Sequence, residues 1–410
     1  MAVLKFQHAR ETVLQQIQSA LRSGSDPSLA VGALICVPLL EAAGRVLAEA
    51  IHADRDFPPF PRSTRDGYAV RSADLAPLPA KLKCLGQVKA GSEFSGSVGA
   101  GECVEIMTGA PVPEGADCVV MVEYTSEKVG SVEVNRGVSA GENVVGRGSE
   151  ARQGALLLEA GRRIRYGEIA MLAGVGRTEA AVHRQPRVAI IPTGDEVVEV
   201  EQTPGPFQIR NSNGYSLSAQ VAAEHCIPVA LGIGPDREDR LGEMIAEGLK
   251  SDLLLLSGGV SMGKYDLVEK VLASLGAEFF FDGVAIQPGR PLVFGRARGT
   301  FFFGLPGNPL STMVTFELFV RPALALLSGE RAAPLRFLRA RLAKDFRRKP
   351  GVAAFLPAML EGDYYDPVVS VVEWKGSGDI ASLNRANCYL AVPEETAELA
   401  AGEWVSVLPR

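Results

Sequence analysis

The stretch Leu253-Leu254-Leu255-Leu256-Ser257-Gly258-Gly259-Val260-Ser261-Met262-Gly263-Lys264-Tyr265-Asp266 constrains the fold more than any other part of the chain. Four consecutive leucines fit a strand buried on both faces. A glycine-rich turn follows, and Val268, Val271, Leu272 and Leu275 then recur at helical spacing. Strand, glycine loop and helix in that order present backbone N–H groups and a helix start to an anion, usually a phosphate. Asp266 stands just beyond the last glycine, where a carboxylate can hold a cation against that phosphate. The spacing is neither the dinucleotide fingerprint nor the Walker A pattern, because no Gly-Lys-Ser/Thr closes the loop. Taken alone, the stretch is also open to a simpler reading, a tight turn that needs glycine only for its backbone angles.

Other segments agree with the anion-binding reading. Gln287-Pro288-Gly289-Arg290-Pro291 leads into Leu292-Val293-Phe294, and Arg187–Ile191 runs into Pro192-Thr193-Gly194-Asp195-Glu196. Phe301–Phe303 is another short strand, from which Gly304-Leu305-Pro306-Gly307-Asn308-Pro309-Leu310-Ser311 turns into a helix ending near Leu327. Loops that follow apolar strands lie on the side where open α/β sheets bind ligands. Strands are expected near 187–191, 227–233, 252–256, 278–281 and 301–303, and helices near 213–224, 237–250, 265–275 and 309–327. That alternation predicts a doubly wound α/β domain over 183–329.

The remainder of the chain differs in character. Val13, Ile17 and Leu21, and then Leu40, Ala43, Leu47 and Ile51, recur at helical spacing, so the first fifty residues are expected to be mainly helical. From 54 to 150, short β-branched runs such as Cys118–Val122 and Ser131–Val134 alternate with glycine turns. They predict a compact β domain. Tyr166–Val175 returns to helix, which makes 54–150 an insertion within an N-terminal helical and linker domain of 1–53 and 151–182. Val368–Val372 and Trp404–Leu408 mark a second small β domain over 330–410.

With 410 residues the chain is too long for one ordinary core. Its 47% hydrophobic and 22% charged residues are those of a soluble globular protein. No uninterrupted apolar run reaches the roughly 20 residues needed to span a bilayer, and the first residues lack signal-peptide character. Cys36, Cys84, Cys103, Cys118, Cys226 and Cys388 show no paired spacing for zinc or a redox couple, and read as reduced core thiols of a cytoplasmic protein. The net charge of −6 argues against general nucleic-acid binding. Any anionic ligand must therefore be held by local cations and backbone amides.

The TGDE, SGGVSMGKYD, PGRP and LPGNPLS segments together resemble those of the molybdopterin molybdenumtransferase family, the MoeA proteins and the gephyrin E domain. The resemblance continues outside the α/β region. Asp66-Gly67-Tyr68-Ala69 is similar to the family's DGYA segment, Thr108–Pro111 with Gly115-Ala116-Asp117 to TGAP…GAD, and Gly141-Glu142-Asn143 to the GEN turn. Arg385–Cys388 and Ala401–Glu403 also fit. The matches keep family order from about residue 38 onward. The resemblance implies an elongated four-part chain assembled as a homodimer. It also implies the family's reaction, in which adenylylated molybdopterin is cleaved to release AMP and molybdate is inserted into the freed dithiolene.

Six carboxylates lie in or beside matched turns: Asp66, Asp117, Glu150, Glu196, Asp236 and Asp266. Oxygen ligands without His or Cys suit a hard cation, with magnesium the natural partner of a phosphate. Asp66, Glu196, Asp236 and Asp266 are candidate catalytic residues and magnesium ligands, with Glu150 a further ligand. Asp236 can instead be only a helix N-cap, and Asp117 reads as structural. For the substrate, the resemblance implicates Thr193, Gly194, Ser257, the amides of Gly258, Gly259 and Gly263, and the wall Pro306-Gly307-Asn308-Pro309 with Ser311. Arg290 would supply charge to molybdate or the terminal phosphate. Asn211, Ser212 and Asn213 either read pterin edges or cap a helix.

The chain departs from the family pattern at several points. Gln287 stands where the family often has lysine, so one of two positive charges is lost, and oxyanion affinity is either weaker or supplied from elsewhere, with Lys264 a candidate. Glu150 is one methylene longer than the common aspartate. Phe355 is followed by Leu356 and Pro357 where an arginine is common, with Arg347, Arg348 and Lys349 nearby, and Arg65 precedes Asp66. Two alternative functions remain. A molybdopterin adenylyltransferase-like enzyme shares the Ser-Gly-Gly loop but lacks the DGYA and TGAP segments. A gephyrin-like scaffold would need fused partner domains. The adenylyltransferase and molybdoenzyme maturation proteins are the expected protein partners, with no nucleic acid and no membrane, and tungstate is as compatible as molybdate.

Overall fold

The computed structural model describes residues 3–23, 34–259 and 267–410. The chain separates into two units, one comprising Met1–Ala48, Gly161–Tyr166 and Glu179–Arg410, the other Glu49–Ala160 and Gly167–Thr178.

The larger unit is built on a six-stranded sheet. Its elements are α1 (Phe6–Ser23), β1 (Arg187–Pro192), α2 (Ser212–Ala223), β2 (Ile227–Ala230), α3 (Glu238–Gly248), β3 (Leu253–Ser257), α4 (Leu267–Ser274), β4 (Glu278–Asp282), β5 (Val293–Ala297), β6 (Thr300–Leu305) and α5 (Pro309–Leu327). The strand order is β2-β1-β3-β6-β5-β4, with the first four parallel and the β6–β5 and β5–β4 pairs antiparallel. Leu253–Leu256 are 0% exposed, so the sheet is covered on both faces as the leucine run predicts. Each such side chain contributes about 1.5–3 kcal/mol relative to exposure. Leu217 and Val221 of α2 pack on one face with α1 and α5, while Leu241 and Ile245 of α3 pack on the other with Val268, Val271 and Leu272 of α4. The chain thus leaves β1 for one side of the sheet and returns at β3 on the other, which is the doubly wound topology.

Helix α5 is long and apolar enough to cross a membrane, but 72% of its most apolar window is buried in this core. It passes through a π-turn at Phe316–Val320, just before Pro322, whose missing N–H interrupts the regular α pattern.

Beyond α5, β7 (Leu338–Leu342), β8 (Ala353–Asp363), β9 (Asp366–Val371), β10 (Cys388–Val392) and β11 (Trp404–Pro409) close on themselves in the order β7-β9-β8-β10-β11. The result is a small barrel filled by Ala340, Leu356, Val369, Leu390 and Val407.

One helix expectation fails. Instead of a helix over Leu40–Ile51, Leu34–Pro38 forms a strand paired antiparallel with Glu179–His183, and only Leu39–Ala42 makes a single 3-10 turn. Gly44, at φ +79°, ends any helical path. The apolar spacing is satisfied by a looped chain, since Ala42, Val46 and Leu47 are buried while Leu40 is 82% exposed.

The smaller unit carries the antiparallel-rich sheet Cys118–Met121, Gly67–Val70, Glu102–Ile106, Ala80–Val88, Ser131–Val134, Thr125–Lys128, in that spatial order. Cys103, Cys118, Cys226 and Cys388 are buried, whereas Cys36 is exposed and Cys84 half-buried, which corrects the reading of all six as core residues. Burial pushes the Cys103 and Cys118 thiols up to about 12, so they are inert at neutral pH.

Candidate active site

Register brings three loops of the larger unit to one edge of the sheet. Pro192 is opposite Ser257, and Ser257 is opposite Leu305, so β1, β3 and β6 end level with one another. Hydrogen bonds continue the ladder past the strand ends, from Thr193 N–H to the Ser257 carbonyl (2.9 Å) and from Gly258 N–H to the Leu305 carbonyl (3.1 Å). Gly258 and Gly259 have φ of +97° and +63°. A Cβ on Gly258 would lie 2.6 Å from the Thr193 carbonyl oxygen, so side chains at this turn would drive the loops apart. Gly307 closes the third loop, with its Cβ position 3.4 Å from the Gly258 Cα.

These loops line a cavity of about 700 Å³, within the size range of small-molecule sites. Asn213 ties the loops together from the start of α2, since its Nδ2 donates to the Ser257 hydroxyl (2.9 Å) and the Gly307 carbonyl (2.8 Å). Asn211 is the helix cap, accepting from Gly214 N–H at 2.9 Å. Of the two roles the sequence left open, Asn211 takes the cap, and Asn213 braces two loops of the cavity. Two buried polar atoms in this cavity, Thr193 Oγ1 and Asn213 Oδ1, have no hydrogen-bond partner among the described residues.

Of the sequence-predicted substrate residues, Thr193, Ser257, Gly258, Gly259, Arg290, Pro306, Gly307, Asn308, Pro309 and Ser311 line this cavity. Gly194 adjoins it in the Thr193–Glu196 loop, its Cβ position overlapped by the Glu196 carboxylate at 2.5 Å. Gly263, Lys264 and Asp266 lie outside the described residues.

The predicted acids fall into separate places. Glu196 lines the cavity and is exposed to solvent. Asp236 is not a helix cap, because Arg237 occupies the cap position of α3. Its carboxylate instead faces the same loop, with Asp236 N–H donating to Asp195 Oδ1 (3.0 Å) and Asp195 N–H to Asp236 Oδ2 (3.5 Å). In the smaller unit, Asp66 Oδ1 accepts from both the backbone N–H (2.7 Å) and hydroxyl (2.8 Å) of Thr108, joining two of the matched motifs. These bonds hold the Asp66 carboxyl below the usual range. Glu150 pairs with Arg62 at 2.7 Å. Asp117 is a turn residue bound by the Ser72 N–H (2.7 Å) and hydroxyl (2.8 Å), as its structural reading implies. No group of three or more His, Cys, Asp or Glu side chains that could hold a metal occurs among the described residues.

Sequence reasoning missed one wall. Trp374, Gly376 and Ser377, in the connection after β9, also line the cavity. Asn308 Nδ2 donates to the Ser377 hydroxyl (2.7 Å), and Leu310 N–H to the Ser377 carbonyl (3.0 Å). The loop is braced by Asp379, which caps the short helix Ile380–Asn384 through Ser382 N–H and accepts from Lys375 N–H, both at 3.0 Å. The apolar run Val368–Val372 leads into this segment, but it marks a second small β domain and not a strand of the α/β sheet whose loops bind ligands. Ile209 and Arg210 were also missed, with Arg210 Nε donating to the carbonyls of Val200 (3.1 Å) and Gln202 (3.2 Å).

A cavity over the carboxyl ends of parallel strands, at the crossover between β1 and β3, is where open α/β proteins bind small molecules, and it defines the class as a doubly wound α/β protein with a small-molecule site. Three family models match the chain: the MoeA N-terminal region (domain I and II) over residues 4–176, a probable molybdopterin binding domain over 189–326, and the MoeA C-terminal region (domain IV) over 339–409. The molybdopterin molybdenumtransferase of Bacillus subtilis (strain 168) is 34% identical over 381 residues, covering 91% of this chain and 89% of that protein. The Haemophilus influenzae enzyme of the same name is 33% identical over 388 residues, covering 90% and 92%. A crystal structure of the molybdopterin biosynthesis MoeA protein from Pyrococcus horikoshii OT3 superimposes with a TM-score of 0.79 at 29% identity over the full length of both chains. The chain belongs to the molybdopterin molybdenumtransferase (MoeA) family, and it is a transferase of molybdenum cofactor biosynthesis.

Proposed function

We propose that the cavity takes adenylylated molybdopterin, and that the protein inserts molybdate into the dithiolene with release of AMP. The observation that carries this reading is the cavity itself, walled by three glycine-bearing loops at the carboxyl ends of β1, β3 and β6 within the segment matched as a probable molybdopterin binding domain.

Within this reading, the Gly258 and Gly259 turn and the start of α5 lie against the diphosphate, where backbone N–H groups and a helix N-terminus favour an anion. Asn308 directs its amide to Ser377 and makes no side-chain cap; Pro309 has no N–H and Leu310 N–H donates to the Ser377 carbonyl, which leaves Ser311 N–H as the first-turn donor of α5 for a ligand. Arg290 supplies the fixed charge for the oxyanion. The rigid Pro306–Pro309 turn and the Trp374 loop exclude water from the far wall.

Magnesium fits the donors present. The ion is ordinarily held by one or two carboxylates together with substrate phosphates and waters, so a three-acid cage is not needed. Glu196 and Asp236 would hold it together with Asp266, and when bound it would neutralise diphosphate charge and polarise the scissile bond. We further propose a homodimer in which Asp66 and Glu150 of one subunit complete the acid set of the other. The four-part division at 1–53 with 151–182, 54–150, 183–329 and 330–410 serves as its functional layout. A cytoplasmic location and transient contact with molybdopterin adenylyltransferase and with molybdoenzyme maturation proteins follow from the same reading.

The test is to incubate the protein with adenylylated molybdopterin, magnesium and molybdate and to measure AMP and active cofactor together. Stoichiometric AMP and cofactor are expected. Cofactor formation without AMP, or no turnover of the adenylylated substrate, would overturn the reading.

A further inference from the structure

A second cavity of about 610 Å³ lies in the larger unit, lined by α1, the end of α5, the segment after it and the chain around Arg163. Seven arginines and two glutamates line it, an excess of five positive charges in a protein whose net charge is −6. All of these cations are arginine, whose planar fork matches phosphate geometry.

Part of this charge is already used. Arg163 Nε reaches Glu330, and its Nη1 donates to the carbonyls of Gly44 (2.8 Å) and Glu224 (3.3 Å). Arg321 Nε lies 3.2 Å from Glu317. Arg10 is different. Its Nη2 donates only to the Ala333 carbonyl (3.2 Å), and its buried Nε has no partner among the described residues. Burial, and then the neighbouring Arg321 charge, hold Arg10 below the ordinary guanidinium range. Burial likewise pushes the Glu224 carboxyl up, against the pull of Arg321 and Arg163, which weakens one of the acids that offset them beside Glu330 and Glu317. Like charges converging from segments hundreds of residues apart cost stability unless an anion sits among them.

We propose that this cavity, formed around Arg10, Arg321 and Arg336, is a binding site for a phosphorylated small molecule with at least two negative charges, separate from the site over the glycine loops. The volume admits a molecule larger than phosphate itself. The Arg10, Arg321 and Arg336 guanidinia would supply charge-assisted donors to its oxygens.

Inorganic pyrophosphate serves as the probe, with binding to the full chain followed by calorimetry at low salt. Arg10→Gln and Arg321→Gln are each expected to weaken binding at least tenfold, while Arg290→Ala, in the other cavity, leaves that component unchanged. Equal binding by wild type, Arg10→Gln and Arg321→Gln, or loss of all binding in Arg290→Ala alone, would overturn the proposal. Hydrogen exchange on the wild type decides the matter even if the arginine variants fail to fold. Pyrophosphate should protect amides in the first turns of α1 and in residues 330–336, and protection confined to 192–196, 257–259 and 287–291 would refute the second site.

Discussion

Asn308 Nδ2 donates to Ser377 Oγ at 2.7 Å, so the cap residue of α5 spends its amide on the loop after β9. That bond, with the one from Leu310 N–H to the Ser377 carbonyl, fixes the wall at residues 374–377 against the start of α5. Asn308→Ala and Ser377→Ala should both loosen that wall. Removing a net hydrogen bond costs about 0.5–1.5 kcal/mol, a few-fold to roughly tenfold rise in the half-saturating concentration of adenylylated molybdopterin. Thermal stability should change little. Wild-type saturation in both variants would mean that residues 374–377 do not contribute to substrate binding.

Asn213 has a sharper role. Its Nδ2 faces two acceptors, Ser257 Oγ and the Gly307 carbonyl, which lie on different loops. Asn213→Asp keeps the shape and replaces the donor with a carboxylate against the Gly307 oxygen. We expect a loss of roughly 2–3 kcal/mol in transition-state stabilisation, about a hundredfold in kcat/KM, with the fold retained by circular dichroism. A variant as active as wild type would show that the two loops hold their spacing without this amide.

The leucine run at 253–256 was legible because four buried side chains in a row leave a strand few alternatives, and the three glycine loops followed from where their strands end. Leu40–Ile51 misled because apolar residues three or four apart can be buried by a looped chain as well as by a helix, and Gly44 at positive φ carries no mark that distinguishes it from other glycines. Trp374 and Ser377 were invisible for a different reason. They reach the cavity through tertiary hydrogen bonds to a turn nearly seventy residues earlier, |i−j| = 69 for Asn308 and Ser377, and no local pattern encodes such a contact. Asp236 is ambiguous between cap and ligand in the sequence because it stands next to the helix start, and the structure removes the cap reading by placing Arg237 at that position.

Arg290 lines the cavity and is exposed to solvent, with Gln287 neutral in the same turn. Arg290→Ala should raise the molybdate concentration needed for half-maximal insertion by an amount equivalent to about 1.5–3 kcal/mol, the usual worth of a charge-assisted hydrogen bond. Magnesium dependence should barely move. Identical molybdate titrations in wild type and variant would place the oxyanion elsewhere, with Lys264 the next residue to replace.

Acid should act on the Trp374 loop through Asp379. The Lys375 N–H, and then the Ser382 N–H, hold its carboxyl below the ordinary value. A depressed folded value means that the stabilisation is complete above the unfolded value of about 3.9 and is lost as pH falls through the folded one. Thermal midpoints between about pH 2 and 6 should therefore fall more steeply for wild type than for Asp379→Asn, with the two converging at the acid end. A difference that stays constant across that range would mean that the charge of Asp379 contributes nothing.

The proposed acid set is divided between the two units. Asp66 belongs to the unit containing Glu49–Ala160, and Glu196 and Asp236 to the other, as does Asp266 by its place in the chain. If a twofold dimer completes each site with the partner's acids, single lesions on different subunits complement. Asp66→Asn and Asp266→Asn subunits, each inactive alone, should regain activity when mixed, because one site of the mixed dimer then carries both lesions and the other carries none. Random exchange makes about half of the dimers mixed, so recovery should approach roughly a quarter of wild-type sites. Subunit exchange is confirmed by mass, and each variant alone should retain its fold. Full exchange with no recovered activity would place every one of these acids in a single chain and end the shared-site proposal.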